Sequence, residues 1–267
     1  MPRPYNRPMR AVLDKFLADR GTHLAAMIAY FALLSFVPLL FIALSLLGLA
    51  GEQGESSYLI EQLRKAFPES SVNDLISAVH EIQRGAGELT AIGLVGLVWG
   101  ALGFFSALES AFNVVYGVPN RPFARQKGLM LLLIAGALVL LFVGLLAASL
   151  GVDLAGRAGA GRWLAYLVAI PVSAALVLGF TWSAYRLITN VPLGWRETLP
   201  GALFATALLE GSFQIVPVFV RATNAIVSLQ AFGGLLVMLV WLYLMANVLV
   251  LGAEVNLRFG KLPAPPP

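Results

Sequence analysis

No charged side chain lies between Arg20 and Glu52, and stretches of this kind recur along most of the chain. A helix that crosses a bilayer needs about 20 consecutive, mainly apolar residues. Five segments contain no Asp, Glu, Lys or Arg: Thr22–Gly51, Leu89–Leu108, Gly128–Val152, Trp163–Tyr185 and Ala222–Ala253. A further one, Thr198–Val220, is interrupted only by Glu210. The sequence therefore predicts a polytopic membrane protein with one acid deep in the bilayer.

The composition supports a membrane bundle as the fold class. Only 12% of the 267 residues are charged, whereas a soluble domain carries about 25%. A β-barrel is disfavoured because the apolar runs are long and continuous, not short and alternating. The predicted fold is all-α, with six transmembrane helices at residues 24–50, 89–114, 129–152, 163–187, 199–220 and 230–255. This membrane domain, 24–258, follows a basic N-terminal segment, 1–23, and precedes a proline-rich tail, 259–267, that we expect to be disordered.

The basic residues of the connecting segments indicate how the helices are oriented. If the N-terminus is inside, the cytoplasmic segments hold twelve Lys and Arg residues and the outer segments hold six. This bias predicts that both termini are cytoplasmic. The net charge of +4 comes from the same segments, so we interpret it as a topology signal and as contact with anionic membrane lipids at the cytoplasmic face. We expect no nucleic-acid partner.

One connection is long and acidic. Within residues 52–88, apolar side chains recur at helical spacing in two stretches, Tyr58–Phe67 and Val72–Ile82, which Pro68 separates. We therefore predict a short amphipathic helical hairpin on the outer face, between the first and second spans. Three roles are open to it: a cap on the bundle, a lid over an outward cavity, or a docking surface for envelope-assembly proteins.

Glu210 is the sharpest candidate for a functional residue. It lies ~17 Å along its helix from Leu199, close to the bilayer midplane. A carboxylate at that depth is strongly unfavourable unless it is protonated, paired or in contact with water. Gln214 follows one turn later on the same face, and Pro217 frees a backbone carbonyl nearby. The functional hypothesis is a substrate, proton or cation site; the structural alternative is a protonated Glu210 that is hydrogen-bonded to a neighbouring helix.

Two further acids are expected at the cytoplasmic ends of their spans. Glu109 has Asn113 four residues later, and Glu254 has Asn247 seven residues earlier. One interpretation is that these acids are solvated by headgroups or paired with one of four basic residues, Arg121, Arg125, Arg186 or Arg258. The other is that the acids and amides line one inward-facing vestibule that leads to Glu210, as a substrate or ion site.

Glycines form a stripe on the second predicted span. Gly93, Gly96, Gly100 and Gly103 are spaced by three, four and three residues, which places them on one helix face. Small side chains let helix backbones approach closely in lipid. The stripe predicts a tight helix contact, either within the bundle or across a homodimer.

The chain offers little for catalysis. It contains no cysteine and two histidines, His23 and His80, which are far apart in sequence. No His/Asp cluster has metal-ligand spacing, and no phosphate loop, nucleophile elbow or dinucleotide turn is present. We therefore expect no metal, no cofactor and no enzyme activity.

Four stretches of the sequence share a pattern with a known protein family. The first is Ala25–Leu40. The second, Trp99–Phe123, is the most recognisable, with these positions aligned: Trp99, Leu108, Glu109, Asn113, Tyr116, Gly117, Arg121 and Pro122. The third and fourth stretches are Trp195–Glu210 and Val240–Asn256. With these four stretches in order, the chain resembles the YihY/virulence factor BrkB family of bacterial inner-membrane proteins. Relatives often have Tyr-Gly before the last span where this chain has Phe232-Gly233, so a role for that tyrosine does not carry over.

The resemblance implies six spans and the bacterial cytoplasmic (inner) membrane, but no established reaction. Some family members carried a ribonuclease label of a type that requires a His/Asp metal centre, and the two isolated histidines lead us to reject it here. Other members are linked to serum resistance and to envelope lipid defects. These links favour a transporter, exporter or flippase of a lipid or amphiphile. The alternative is a scaffold that does not transport and instead recruits envelope-assembly proteins; a membrane enzyme is disfavoured.

Overall fold

The computed structural model describes residues 8–49, 88–122, 124–137, 139, 162–224 and 233–260. These residues form seven helices and no strand. In chain order they are α1 (Pro8–Ala18), α2 (Gly21–Leu49), α3 (Glu88–Tyr116), α4 (residues 124–137), α5 (Arg162–Leu187), α6 (Trp195–Asn224) and α7 (Gly233–Phe259). The predicted all-α fold class is therefore confirmed for this part of the chain.

Five predicted spans correspond to α2, α3, α5, α6 and α7, with ends that differ by four residues or fewer. The beginning of the predicted third span coincides with α4, and the rest of that span lies outside the described residues. The predicted outer hairpin, 52–88, lies outside them as well, except for Glu88. Two described segments, Val98–Tyr116 and Met238–Phe259, are long and apolar enough to cross a membrane. A shorter apolar segment, Gly21–Phe36, precedes them.

Small side chains allow the helices to approach one another closely. Helix α2 packs against α3 and α7, while α6 packs against α5 and α7. Several alanines in these contacts are fully buried: Ala25, Ala29, Ala111, Ala202, Ala205 and Ala253. Close backbone approach increases van der Waals contact, which holds helices together in lipid where the hydrophobic effect between them is absent.

The glycine stripe on α3 faces α2 in part. A Cβ atom at Gly100 would lie 3.1 Å from the backbone Cα of Ser35, and one at Gly103 would clash with the ring of Phe31. A Cβ atom at Gly96 would meet nothing within 4 Å among the described residues. Gly93 lies in α3, but its surroundings are outside the described part of the structure. The contact at Gly100 and Gly103 is thus within the bundle.

Large apolar side chains cover the outer surface of the described helices. Among the most exposed are Val95, Trp99, Leu132, Val139 and Leu203, with between 50% and 71% of their surface accessible. Soluble monomers rarely expose extensive apolar patches. Side chains of this kind are suited to contact with lipid tails.

A left-handed glycine ends α3 and reverses the chain. Gly117 has a φ of 67°, and the Val118 N–H donates to the Asn113 carbonyl over 2.9 Å. This pattern is a Schellman motif, in which backbone N–H groups that follow the helix satisfy its last carbonyls. Glycine suits the motif because it has no Cβ atom and adopts a positive φ without strain. The motif directs residues 118–122 back along the end of α3, so that Arg121 meets Glu109.

Candidate functional site

Polar side chains converge at one end of the bundle, where the C-terminal ends of α3, α5 and α7 meet α1 and the N-terminal end of α6. We call this region the polar end. It contains six buried polar side chains whose exposure is 1% or less: Glu109, Asn113, Thr189, Thr198, Glu254 and Asn256. Buried polar groups are costly unless they are hydrogen-bonded. Their hydrogen-bond and ion-pair partners therefore indicate the role of each side chain at this end of the bundle.

Glu109 is completely buried and paired with Arg121. Its Oε1 atom accepts a hydrogen bond from the Arg121 backbone N–H over 3.1 Å and lies 3.4 Å from Arg121 Nη1. Its Oε2 atom has no hydrogen-bond partner among the described residues. The carboxyl group therefore fixes the connection after α3 through one oxygen and leaves the other oxygen unused.

Arg121 joins α3 to the end of α5. Its guanidinium group donates to the backbone carbonyls of Leu187, Ile188 and Thr189, over 3.3 Å for Leu187 and 2.7 Å for Thr189. The last carbonyls of a helix lack partners within the helix and carry partial negative charge. One side chain thus satisfies the end of α5 and neutralises the Glu109 carboxylate.

Asn113, one turn after Glu109 on α3, also joins the connection after α3 to the connection after α5. Its Oδ1 atom accepts a hydrogen bond from the Asn190 backbone N–H over 2.8 Å, and its Nδ2 atom donates to Asn120 Oδ1 over 2.9 Å. Asn190 in turn donates to the Pro119 carbonyl over 2.9 Å. Because Glu109 and Asn113 lie on one helix face, they hold the connections after α3 and α5 against each other.

Glu254 lies against the N-terminal helix. Its Oε2 atom is 3.7 Å from Lys15 Nζ, which also contacts the Asp19 carboxylate and donates to the Val115 carbonyl over 3.0 Å. Its Oε1 atom has no partner within the described part of the chain. Lys15 therefore connects α1 to α7 and to the end of α3.

Each of the two amides near Glu254 has a hydrogen bond to a backbone group, while the Asn256 Nδ2 atom has no partner among the described residues. Asn256 Oδ1 accepts a hydrogen bond from the Gly201 backbone N–H over 2.6 Å, which joins α7 to the first turns of α6. Asn247 donates to the Tyr243 carbonyl of its own helix over 2.7 Å. These two amides therefore stabilise α7 and its contact with α6.

Glu210 lies far from the polar end, between α5 and α6. Its Oε1 atom accepts a hydrogen bond from the Ser173 hydroxyl over 2.8 Å, and the Glu210 side chain is partly exposed. Closer to the polar end, the hydroxyl groups of Thr181 and Thr206 lie 3.1 Å apart and are buried. We call this line of contacts the α5–α6 seam. The seam is a polar stripe along two helices that are otherwise largely apolar.

The sequence model of the virulence factor BrkB family matches residues 12–262, which include every contact described above. The chain belongs to this family. The polar end of this BrkB-family protein therefore lies within the matched region, as does the α5–α6 seam.

Curated relatives support membership in the same group. A Bacillus subtilis protein named as ribonuclease-like, YfkH, is 27% identical over 95% of both chains. A UPF0761 membrane protein of Aromatoleum aromaticum is 29% identical over 93% of this chain, and one of Rhodospirillum rubrum is 29% identical over 91%. The chain spans 62% and 56% of the length of these two UPF0761 relatives. No solved structure matches the chain.

These relatives identify a membrane protein and leave its activity open. The ribonuclease-like name belongs to the Bacillus subtilis relative. Within the described residues of this BrkB-family protein, no three His, Cys, Asp or Glu side chains are grouped so that they could hold a metal ion.

The predicted site residues fall into separate groups in this BrkB-family protein. Glu109 and Asn113 act on the same two connections, whereas Glu254 contacts α1. Glu210 contacts Ser173 of α5. Gln214 lies in α6, but its side chain is outside the described part of the structure. The vestibule from the acids of the polar end to Glu210 stays a prediction.

Several partners were missed by the sequence analysis. Lys15 was assigned only to a basic cytoplasmic segment, although Val12 and Phe16, four residues apart and both buried, are a signal for an amphipathic helix there. Ser173 and Asn190 gave no such signal. Each is a single polar residue whose importance depends on a partner 37 or 77 positions away in sequence.

Proposed function

We propose that this protein is a six-span protein of the bacterial inner membrane that moves a lipid or another amphiphile of the cell envelope across the bilayer. Glu210 is the polar contact at mid-depth, and both termini are cytoplasmic. The proposal rests on one observation above all, the hydrogen bond between Ser173 and Glu210 within the apolar part of the bundle.

The position of Glu210 is unfavourable for a purely structural side chain. From the start of α6 at Trp195, Glu210 is 15 residues along, or about 22 Å at 1.5 Å per residue. The hydrocarbon core of a bilayer is about 30 Å thick. Ser173 offers one hydrogen bond, while a carboxyl group has two oxygens that both require partners or water. Ionisable groups at such depths typically face a substrate or ion pathway.

The α5–α6 seam supplies a path for a polar headgroup. Moving toward the polar end from Ser173 and Glu210, the next polar contact between these helices is the pair Thr181 and Thr206. Thr181 also donates to the Val177 carbonyl over 2.9 Å, so its hydroxyl is satisfied without its neighbour. The helices can therefore separate at this point without leaving the Thr181 hydroxyl unpaired.

The geometry of the polar end favours the proposed topology. The C-terminal ends of α3, α5 and α7 share one end of the bundle with α1. This arrangement is expected if successive spans cross the bilayer in alternating directions from a cytoplasmic N-terminus. The excess of basic residues in the same segments fits a cytoplasmic location.

The test is lipid movement in proteoliposomes. The full-length protein is reconstituted with a fluorescent phospholipid, and the rate at which the label becomes accessible from outside is measured for wild type, Glu210→Gln and Asp14→Asn. Asp14 is exposed on α1 and serves as the matched control for loss of one acid. We expect Glu210→Gln to lower the rate at least about tenfold, equivalent to about 1.4 kcal/mol in the barrier, and Asp14→Asn to leave it unchanged.

Two results would contradict the proposal. Equal rates for Glu210→Gln and wild type would exclude Glu210 as the mid-depth contact. A wild-type rate no higher than that of empty liposomes would exclude movement of the labelled phospholipid and favour the scaffold alternative. Insertion of each variant is checked by its yield in washed membranes.

A further inference from the structure

A cavity of about 370 Å³ opens beside the polar end. Three arginines, Arg121, Arg125 and Arg186, line it together with most of the connection 187–193. No Asp or Glu side chain is among its lining residues. We call it the arginine pocket. Its volume lies within the range of about 300–1,000 Å³ that is usual for ligand sites.

Arg121 lines the arginine pocket with a side chain that other residues hold in place. Its guanidinium group is occupied by the Glu109 carboxylate and by the carbonyls at the end of α5. Glu109 also neutralises its charge. The net positive potential of the pocket therefore comes from the other two arginines.

Arg186 is held in place by an aromatic platform. Its guanidinium carbon lies 4.2 Å from the centre of the Trp195 ring. Trp182 fixes that ring, since its Nε1–H donates to the Trp195 carbonyl over 2.7 Å and the two rings pack edge to face. Stacking on a ring face leaves the N–H groups at the edge of the guanidinium plane available to a ligand.

Arg125 provides the second unneutralised charge. It is exposed in the first turn of α4, and no described carboxylate pairs with Arg125 or Arg186. Two arginines that face one cavity without an acid repel each other and favour an anion between them. Phosphate suits such a pair, because its oxygens accept several charge-assisted hydrogen bonds at once.

The aromatic platform favours a location of the arginine pocket at the level of lipid headgroups. Trp195 is 46% exposed and lies at the N-terminal end of α6. Tryptophans are enriched where a bilayer meets water. Part of the pocket wall is apolar, formed by Leu187, Val191 and Pro192, and can contact the carbon atoms next to a phosphate group.

We propose that the arginine pocket binds the phosphate group of an anionic amphiphile, with Arg125 and Arg186 as its ligands and Arg121 as a positioning residue. This site is separate from Glu210, since Arg186 and Ser173 are 13 residues apart on α5, or about 20 Å. The inference does not depend on the proposed transport, and its failure would leave that proposal standing.

The experiment measures binding of inorganic phosphate and of dihexanoyl phosphatidic acid to the full-length protein in maltoside micelles. Radiolabelled phosphate is followed by equilibrium dialysis at fixed ionic strength, and the short-chain lipid is then added as a competitor. Arg125→Gln should weaken phosphate binding at least about tenfold, and Arg125→Gln with Arg186→Gln should abolish it. Arg125 is exposed and unpaired among the described residues, so its substitution should leave the fold intact.

Two controls separate the site from other effects. Arg258→Gln removes the same charge from an exposed position of α7 outside the pocket. Glu210→Gln changes the proposed transport site alone. Both variants should bind phosphate as wild type does.

The outcomes are distinguishable. Displacement of phosphate by the short-chain lipid, or Arg125-dependent binding of the lipid alone, supports the site and assigns a lipid headgroup to it. Arg125-dependent phosphate binding that the lipid does not displace supports the site and assigns a soluble phosphate. The proposal is overturned if neither probe binds wild type, if Arg125→Gln binds as wild type, or if Arg258→Gln weakens binding equally.

Discussion

Replacing Arg121 with glutamine should destabilise the bundle more than any loss of an exposed arginine. Glu109 is fully buried, and Arg121 is the basic residue that pairs with it in the described part of the chain. Arg121→Gln leaves the carboxylate buried without a counter-charge and leaves the last carbonyls of α5 with fewer donors. The structure therefore predicts a large effect from one substitution at the edge of the bundle.

The expected magnitude follows from the burial. Removing one partner of a buried ion pair costs about 3–5 kcal/mol, because the remaining charge stays in a medium of low polarity. For a chain of this size that corresponds to a fall in the unfolding temperature of very roughly 6–20 °C. Adding Glu109→Gln to Arg121→Gln removes the stranded charge, so the double variant should be more stable than Arg121→Gln alone.

The assay is thermal unfolding of wild type and variants in one detergent at one heating rate, followed by intrinsic fluorescence. Arg125→Gln is the matched control, since Arg125 is exposed and its loss should change stability by less than about 0.5 kcal/mol. Equal unfolding temperatures for Arg121→Gln and Arg125→Gln would refute the reasoning. A double variant less stable than Arg121→Gln would show that Arg121→Gln does not leave Glu109 as an unpaired buried charge.

Two glycine pairs give further predictions. Gly201→Ala places a Cβ atom against the Gly252 carbonyl of α7 and should lower stability by about 1–3 kcal/mol. Gly211→Ala on the same helix meets no described residue within 4 Å and should be neutral or stabilising by up to about 1 kcal/mol. Gly100→Ala crowds the α2 backbone at 3.1 Å and should be destabilising, unlike Gly96→Ala, which has open space among the described residues. Thermal unfolding checks both pairs, and equal effects within a pair would contradict the close helix contacts.

The sequence predicted the elements of this protein better than its contacts. Five of the six predicted spans match helices to within four residues at each end, because the length and polarity that suit a segment to the hydrocarbon core are local properties of the sequence. The sequence left Glu109 with several alternatives, which were solvation by headgroups, pairing with one of four arginines, or a place in a vestibule. The structure shows the pair with Arg121. The packing of α1 on α7 was missed, since a short amphipathic helix beside many charges resembles a plain basic segment.

The sequence by itself determined the all-helical membrane class and the family resemblance, and it predicted a deep acid at Glu210. Only the tertiary structure decided which groups meet: Glu210 with Ser173, Asn113 with Asn190, and Arg121 with carbonyls 66 to 68 positions away. The reason is physical. Whether a segment is buried in lipid depends on the length and polarity of that segment alone. Which side chains pair depends on the rotation and register of the packed helices, and side chains from distant segments set these together.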